Sequence, residues 1–499
     1  HPDPRRRERQ ALANVVAEVA DPCDKAVLKA AFAIVDQPHH LSIHPGGVVV
    51  TPGPLTDTVP VQMAPKGFYI TQFDHRDVEA VGLPKLDLLG IRALTVLADT
   101  AEYIRRHHDP DFRLENIPLD EDTTAEMLAA GDTIGVFQCE STGAQRTLRQ
   151  LKVSSVRDLA VANAFFKPGP ATGGMAEAFI RRYRGEEDVS FLHPALAPIL
   201  GQTQGVLLFQ EQVLRVATEV AGLNWADADQ LRRGMSKFEA ETMAAIQARF
   251  EAGCQVQSGL SVQQAQTLWQ QVIAFAGYGF NQGHATAYAD VSYRSAYLKA
   301  HYPAVFLWAR LQARGGFHHP VIYLAEARRL GIGVMPPHVN VSGRKIVLSM
   351  GAEERGSGGA EEIAEKSPIA NLQSPMPAQS PALWLGLGQV RDLRRSAVRA
   401  VVAARRQRPF TSLRDLLARV DLQPKEVVHL IQCGALDGLG GSRAALLADA
   451  EEVDRAGSAH QLAFNFAGET AVAPETPAER LAWEKRVLGW PVSVHPLDL

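Results

Sequence analysis

Chemistry in this chain must come from a handful of charged and aromatic side chains. In GLPKLDLLG, residues 82–90, one carboxylate, Asp87, stands among leucines with Lys85 two positions before it. In an extended strand, alternation puts Lys85 and Asp87 on one face and Leu86 and Leu88 on the other. A charge on a core strand needs a partner, a metal or water, so Asp87 reads either as half of a Lys/Asp pair at a sheet edge or as a ligand to a cation. In NWADADQLRRGMSK, Asp227 and Asp229 lie near a helix start, and Arg232, Arg233 and Lys237 follow. Those cations suit a triphosphate, or coat a solvent-facing helix. FKPGPATGGMAEAFIRRYRGEE begins with a Pro/Gly turn carrying Lys167 and continues into a helix presenting Arg181, Arg182 and Arg184. Phosphate binding and a solvated basic face are its two readings; no GK[ST] closes it, so it is not a P-loop.

FAGYGFNQGHATAYADVSYRSAYLKAHYP carries Asn281 and His284. Its glycines, Gly277, Gly279 and Gly283, do not form G-x-G-x-x-G after a strand, which excludes a dinucleotide fingerprint. His284, Tyr288, Tyr293 and Tyr297 recur at helical spacing, as expected of core aromatics or of a platform on which a base or sugar stacks. His40 and His44 are four apart, but the surrounding SIHPGG is extended, so no zinc site is expected there. The acidic run LDEDTT, 119–124, reads as a helix cap, with Asp122 and Thr123 ahead of AEMLAAG.

A net charge of -4 and a pI near 6.5 exclude a strongly basic nucleic-acid binder as a description of the whole chain. Any such surface is local, and the segment 385–445 supplies it. From Arg391 to Arg443 there are eleven Lys or Arg against five acids. Its short helices joined by Gly-containing turns, ending GALDGLGGSR, are similar to helix-hairpin-helix elements, whose backbone N–H groups meet phosphates without reading sequence. Arg394, Arg395 and Arg443 are its candidate DNA contacts; the alternative is a module that packs against protein.

The 499 residues suggest about three domains. Cys23, Cys139, Cys254 and Cys433 form no CxxC, which points to a reducing cytoplasm and away from a zinc knuckle. No apolar run is long enough to span a bilayer, and no signal peptide opens the chain. The opening HPDPRRRERQ and the closing GWPVSVHPLDL read as the interior of a larger protein.

Those residues must be positioned by an α+β architecture. Residues 8–35 have helical spacing. GGVVVTP, GFYITQFD and LPKLDLLG, between 41 and 90, are strand-like and broken by Gly and Pro. From 93 to 310 the pattern is mostly helical, with breaks at FKPGPATGG and FAGYGFNQGH; 318–350 switches to short helices and strands; and no internal repeat is present. The stretch after 351 is rich in Gly, Ser, Pro, Ala and Glu, the composition of a flexible insertion.

Taken in order, SIHPGGVVVTP, TQFDHRDVEAVGLPKLDLLGIRALTVL, DTIGVFQCESTGAQRTLRQLK, FFKPGPATGGM, GVLLFQEQVLRVATEVAGLNWADADQLRRGMSK, FAGYGFNQGHATAYADVSYRSAYLKAHYPAVF and LIQCGALDGLGGSR resemble the bacterial DNA polymerase III alpha subunit, the C-family DNA polymerases. The resemblance runs from about 41 to 445, and ERLAWEKRVLGWPVSVHPL continues it. It implies a thumb remnant (1–40), the second half of a palm (41–92), fingers (93–350), the insertion (351–384), a helix-hairpin-helix-like unit (385–447), and a linker with the start of a C-terminal region (448–499). The fold class is thus a small β-rich partial palm followed by large, mostly helical fingers and a helix-hairpin-helix-like unit.

The implied reaction is template-directed transfer of a nucleotide from dNTP to a primer 3′-hydroxyl, with two Mg²⁺ held by three palm aspartates. By resemblance, Asp87 is the third aspartate, catalytic and metal-binding, and Lys85 faces the triphosphate. Arg232 and Arg233 lie near the incoming nucleotide, and Asn281 and His284 sit in a fingers motif. Lys167, Arg181, Arg182, Arg394, Arg395 and Arg443 are expected on DNA. The P-D-x-D-x-D type motif with the other two aspartates is not in this sequence, nor are the PHP domain and the OB-fold region. GQVRDLRRS also departs from the glycine-bearing first hairpin of many relatives. The chain alone is therefore expected to bind primer-template and nucleotide weakly and to polymerise poorly. Its rivals are a non-catalytic DNA-binding or assembly half, completed by a separate N-terminal polymerase half, and a degenerate paralogue. QLAFNF, 461–466, is faintly similar to a sliding-clamp peptide, which makes the clamp and other replisome subunits candidate partners.

Overall fold

The structure, a computed structural model, describes residues 13–34, 42–165, 175–234, 240–276, 280–350, 380–455 and 472–494. The chain divides into two compact units, His1–Ile91 and Arg92–Leu499.

The first unit pairs short strands in two antiparallel ribbons. β1 (Gly47–Val49) pairs with β4 (Lys85–Asp87), placing Gly47 opposite Asp87, Val48 opposite Leu86 and Val49 opposite Lys85. β2 (Val61–Met63) pairs with β3 (Tyr69–Thr71). Helix α1 (Pro22–Ile34) buries no residue. α2 (His75–Ala80) is capped by Asp74, whose carboxylate accepts the N–H groups of Arg76 and Asp77. Strand alternation puts Lys85 and Asp87 together, as expected. A core strand, however, does not result: Leu86, Leu88 and Leu89 are 48%, 68% and 62% exposed, and the buried apolar residues here are Val59, Ala64 and Val78. Three-residue ribbons offer no second layer under which leucines could be buried.

The second unit is mostly helical: α3 (Arg92–His107), α4 (Asp122–Ala129), α5 (Thr142–Leu151), α6 (Val156–Phe165), α7 (Met175–Tyr183), α8 (Gln210–Arg215), α9 (Trp225–Gly234), α10 (Ala240–Ser258), α11 (Val262–Ala276), α12 (Gln282–His301), α13 (Pro303–Gln312) and α14 (Pro320–Arg329). At the centre, α12 packs on α6. Ala285, Ala289, Ser292 and Ala296 of α12 are buried at spacings of four, three and four, and every residue from Leu159 to Phe165 of α6 is buried. Small side chains on one helix let the other approach closely. A second core joins α8, α10 and α11, with Phe250 and Trp269 rings 5.3 Å apart. Gly253 in α10 is required there, because a Cβ would fall 1.9 Å from the carbonyl oxygen of Ala221. The cap of α4 is Glu121, which accepts the N–H groups of Thr123 and Thr124, one residue earlier than the Asp122 cap expected.

β5 (Gly333–Met335), β6 (Val347–Ser349) and β7 (Ala382–Trp384) form a sheet in the order β5-β7-β6, with β7 parallel to β5 and antiparallel to β6. The expected flexible insertion therefore extends too far at its C-terminal end. Leu383 is fully buried and Trp384 nearly so, whereas 351–379 lie outside the described residues. Five helices follow: α15 (Arg395–Gln407), α16 (Leu413–Arg419), α17 (Pro424–Gln432), α18 (Arg443–Arg455) and α19 (Pro477–Leu488). Gly434, just after α17, has φ +85, and a Cβ there would meet the Arg443 guanidinium at 2.4 Å. No helix among the described residues is long and apolar enough to cross a membrane.

Candidate nucleotide and DNA sites

In the first unit, Lys85 Nζ donates to both carboxylate oxygens of Asp87, at 2.8 and 2.9 Å. The hydrogen bond from Lys85 holds the Asp87 carboxyl below its ordinary range, with the Lys85 and His44 charges adding to the effect. His44, set aside in the sequence as a metal ligand, lies beside this pair: its Nδ1 is 3.8 Å from Asp87 Oδ1 and accepts the N–H of Gly47 at 2.6 Å. It thereby shapes the start of β1, opposite Asp87. The Asp87 side chain is 46% exposed, which suits one ligand position of a hard cation. Among the described residues no three His, Cys, Asp or Glu side chains gather into a metal-binding group, so Asp87 fits as a single ligand and not as a complete site.

In the second unit the structure draws together residues that the sequence keeps far apart. Phe209 and Phe280 form a parallel bridge, and Gln210 N donates to Phe280 O at 2.9 Å. Glu211, in the first turn of α8, then takes hold of the start of α12: its carboxylate accepts from Asn281 Nδ2 at 2.7 Å and from the N–H of Gln282 at 2.8 Å. Asn281 in turn caps α12 through His284 N at 2.7 Å. Arg232 reaches Oε1 of Gln210, the neighbour of Glu211, at 3.4 Å while two of its nitrogens bind Asp229 Oδ1. Arg232 and Asn281 thus both reach the first turn of α8, through Gln210 and Glu211, and His284 follows Asn281 in α12. The side chain of Arg233 and all of Lys237 lie outside the described residues.

The α12 aromatics divide by depth. Tyr293 is buried, its hydroxyl accepting the N–H of Glu121. His284 is exposed, its ring 4.0 Å from that of Tyr288 and tilted 41° to it; Tyr288 lies 5.3 Å from Phe137, and Phe280 meets His284 edge-on at 5.4 Å. The start of the helix therefore carries a cluster of mutually inclined aromatic rings, and Tyr293 further along belongs to the core. Glu211 was not legible as a site residue: nothing in FQEQ distinguishes a clamp from an amphipathic helix start.

The cations expected on DNA meet different fates. Lys167 lies outside the described residues. Arg181 and Arg182 both donate to Glu187, at 3.0 and 2.8 Å. Arg394 forks onto the buried carboxylate of Glu426. The expectation that Arg443 offers its charge to DNA is corrected: its side chain is 2% exposed and bound to Asp437 at 2.7 Å and to the buried Glu484 at 3.0 Å. It is a strut between α18 and α19. Arg395 remains exposed, as do Arg399 and Arg406, four and eleven positions on; on a helix these three share one stripe. None of these three side chains has a hydrogen-bond or ion-pair partner among the described residues.

Comparison with known proteins matches three segments of the chain. Residues 5–90 match the family model described as the bacterial DNA polymerase III alpha NTPase domain, 93–258 the bacterial DNA polymerase III alpha subunit finger domain, and 331–446 a helix-hairpin-helix motif. The chain belongs to the bacterial DNA polymerase III alpha family. Among its relatives, DNA polymerase III subunit alpha of Halalkalibacterium halodurans is 35% identical, matching 94% of this chain and 40% of its own length. The Thermus aquaticus protein of the same name is 35% identical over 95% of this chain and 38% of its own. An error-prone DNA polymerase of Symbiobacterium thermophilum is 39% identical over 84% and 38%. The chain thus spans about two-fifths of the length of these relatives.

Proposed function

We propose that this chain contributes to template-directed DNA synthesis, transferring a nucleotide from dNTP to a primer 3′-hydroxyl as part of a DNA polymerase III alpha-type enzyme. One observation carries the reading: the alpha NTPase, finger and helix-hairpin-helix segments follow one another along a single chain, with Lys85 and Asp87 closing the first and Arg232 in the second. Each part has a role that its geometry supports. Lys85 fixes the Asp87 carboxylate in its ionised form and brings a cation to the side on which a triphosphate would lie. Arg232, held by Asp229 and Gln210, offers its guanidinium to phosphate oxygens, and the exposed His284 ring offers a face to a base. Arg395, Arg399 and Arg406 fit successive backbone phosphates without reading sequence. Asp87 would hold one position on Mg²⁺, which when bound neutralises charge developing on the transferred phosphoryl group; the remaining ligands would come from carboxylates outside the described set.

A second reading, an assembly half that binds DNA without catalysing, is favoured by the exposed Val48, Leu86, Leu88 and Leu89 around β1 and β4, an apolar surface that a separate polymerase half would cover. Primer extension and primer-template binding, measured on this chain alone and after adding the N-terminal half of a relative, distinguish the two. The synthesis reading expects extension in the completed enzyme that disappears in Asp87→Ala, with DNA affinity within about twofold of the parent. Normal kcat in Asp87→Ala would remove the role given to this carboxylate. Failure to bind primer-template at all would remove both readings.

A further inference from the structure

A cavity of about 570 Å³ opens between the end of α5, the start of α7's following turn, and the 3-10 turn Gly201–Thr203. Its wall carries three cations, Lys152, Arg157 and Arg184, together with the hydrogen-bonding side chains Ser154, Gln202 and Gln204. Two carboxylates also line it, and both are engaged. Asp158 accepts from the Tyr183 hydroxyl and from the N–H groups of Ser154 and Ser155, while Glu186 pairs with Arg184 at 3.2 Å. That leaves Lys152 and Arg157, both exposed, whose side chains have no hydrogen-bond or ion-pair partner among the described residues. Lys152 owes its place to an unusual backbone: it ends α5 in the left-handed region at φ 48, where Gly or Asn is the usual occupant. The arginines expected to bind phosphate in this region, Arg181 and Arg182, are instead tied to Glu187.

We infer that this cavity binds the phosphate of a nucleotide, with Lys152 and Arg157 as its principal contacts. Three cations against two carboxylates leave the lining one positive charge in excess, and with Lys152 and Arg157 making no ion pair of their own, an anion entering the cavity relieves that excess. The volume lies well within the range of ligand sites, roughly 300–1,000 Å³, and far exceeds what inorganic phosphate needs. The rest of a nucleotide can therefore enter, its polar edges meeting Gln202, Gln204 and Ser154. The phosphate can come from a free mononucleotide or from one unit of a single strand. The inference stands apart from the polymerisation reading, since it invokes neither Asp87 nor Arg232.

The test uses the whole chain and two probes without added metal: deoxythymidine monophosphate and a twelve-residue oligothymidylate. Hydrogen exchange is followed in peptides spanning 151–158 and 201–205, and affinities are measured by titration in parallel. Slower exchange in both peptides with either probe supports the site: protection by the mononucleotide identifies a free-nucleotide site, and protection by the oligonucleotide alone identifies a strand-backbone site. The double variant Lys152→Glu/Arg157→Glu should lose that protection and bind roughly tenfold or more weakly. For the oligonucleotide, its salt dependence should fall by about 1.4 in log–log slope, the contribution of two single-strand phosphate contacts. Both residues are exposed, so the variant should unfold at the parent's urea midpoint. Arg232→Ala should leave protection of these two peptides unchanged even if polymerisation is lost. No protection by either probe, or protection that persists in the double variant, overturns the inference.

Discussion

Glu211 and Asn281 grip each other from 70 positions apart, the Glu211 carboxylate accepting from Asn281 Nδ2 at 2.7 Å and from the next backbone N–H at 2.8 Å. This contact sets where α12 begins, and with it the direction in which His284 leaves the helix. Glu211→Ala removes a charged acceptor from two donors and should cost about 1–3 kcal/mol in urea unfolding. Glu211→Gln keeps one acceptor and should recover part of that loss. Unchanged stability of the alanine variant, together with unchanged hydrogen exchange at 281–285, would show that the clamp does not hold α12.

Lys299 is the most deeply buried cation of its network, with 1% of its side chain exposed, 2.6 Å from Glu326 and 3.2 Å from Asp132. Burial pushes the Glu326 carboxyl upward, but hydrogen bonds from Arg329 and Lys299 outweigh this and hold it low. Lys299→Met leaves two carboxylates with Arg329 alone and should destabilise the second unit by about 3 kcal/mol. Adding Glu326→Leu should restore much of the loss, because the uncompensated charge is then gone. A double variant no more stable than the single one would contradict this account.

Arg443 and Arg395 should separate structure from DNA contact. Arg443→Ala strands Glu484 in the core and should cost about 3–5 kcal/mol. Arg395→Ala should change stability by less than about 0.5 kcal/mol, yet weaken duplex binding and lower its salt slope by about 0.9. Equal DNA affinity in Arg395→Ala would remove the α15 stripe from the interface.

His338 makes the region around α17 sensitive to acid. Its Nδ1 accepts the Asn340 N–H at 3.1 Å, so the proton sits on Nε2 and is donated to Asp437 O. Burial holds its pKa below the ordinary 6.5, and a second proton would break the Asn340 bond. Below pH 6.5 the unfolded chain therefore binds protons that the folded one refuses. Stability should be complete above about pH 6.5 and decline as pH falls through the lowered folded value. In His338→Gln the decline below the ordinary pKa of 6.5 should flatten; an identical profile would exclude this histidine as its source.

Much of this protein was legible along the chain because the relevant interactions are local. Alternation placed Lys85 and Asp87 on one face two residues apart, apolar spacing gave the helices, and long motifs in sequence order identified the family. What remained depended on partners distant in sequence. Arg443 finds Glu484 41 positions away and Arg394 finds Glu426 32 positions away, so a run that reads as a solvated basic face is partly internal bracing. β7 emerges from a stretch of insertion-like composition because β5 and β6 flank it and bury Leu383. Composition and spacing fix which side chains are charged and which face they share. Only packing decides which of those charges is neutralised, since an ion pair depends on three-dimensional distance and on the water it excludes, and neither quantity is written in the order of residues.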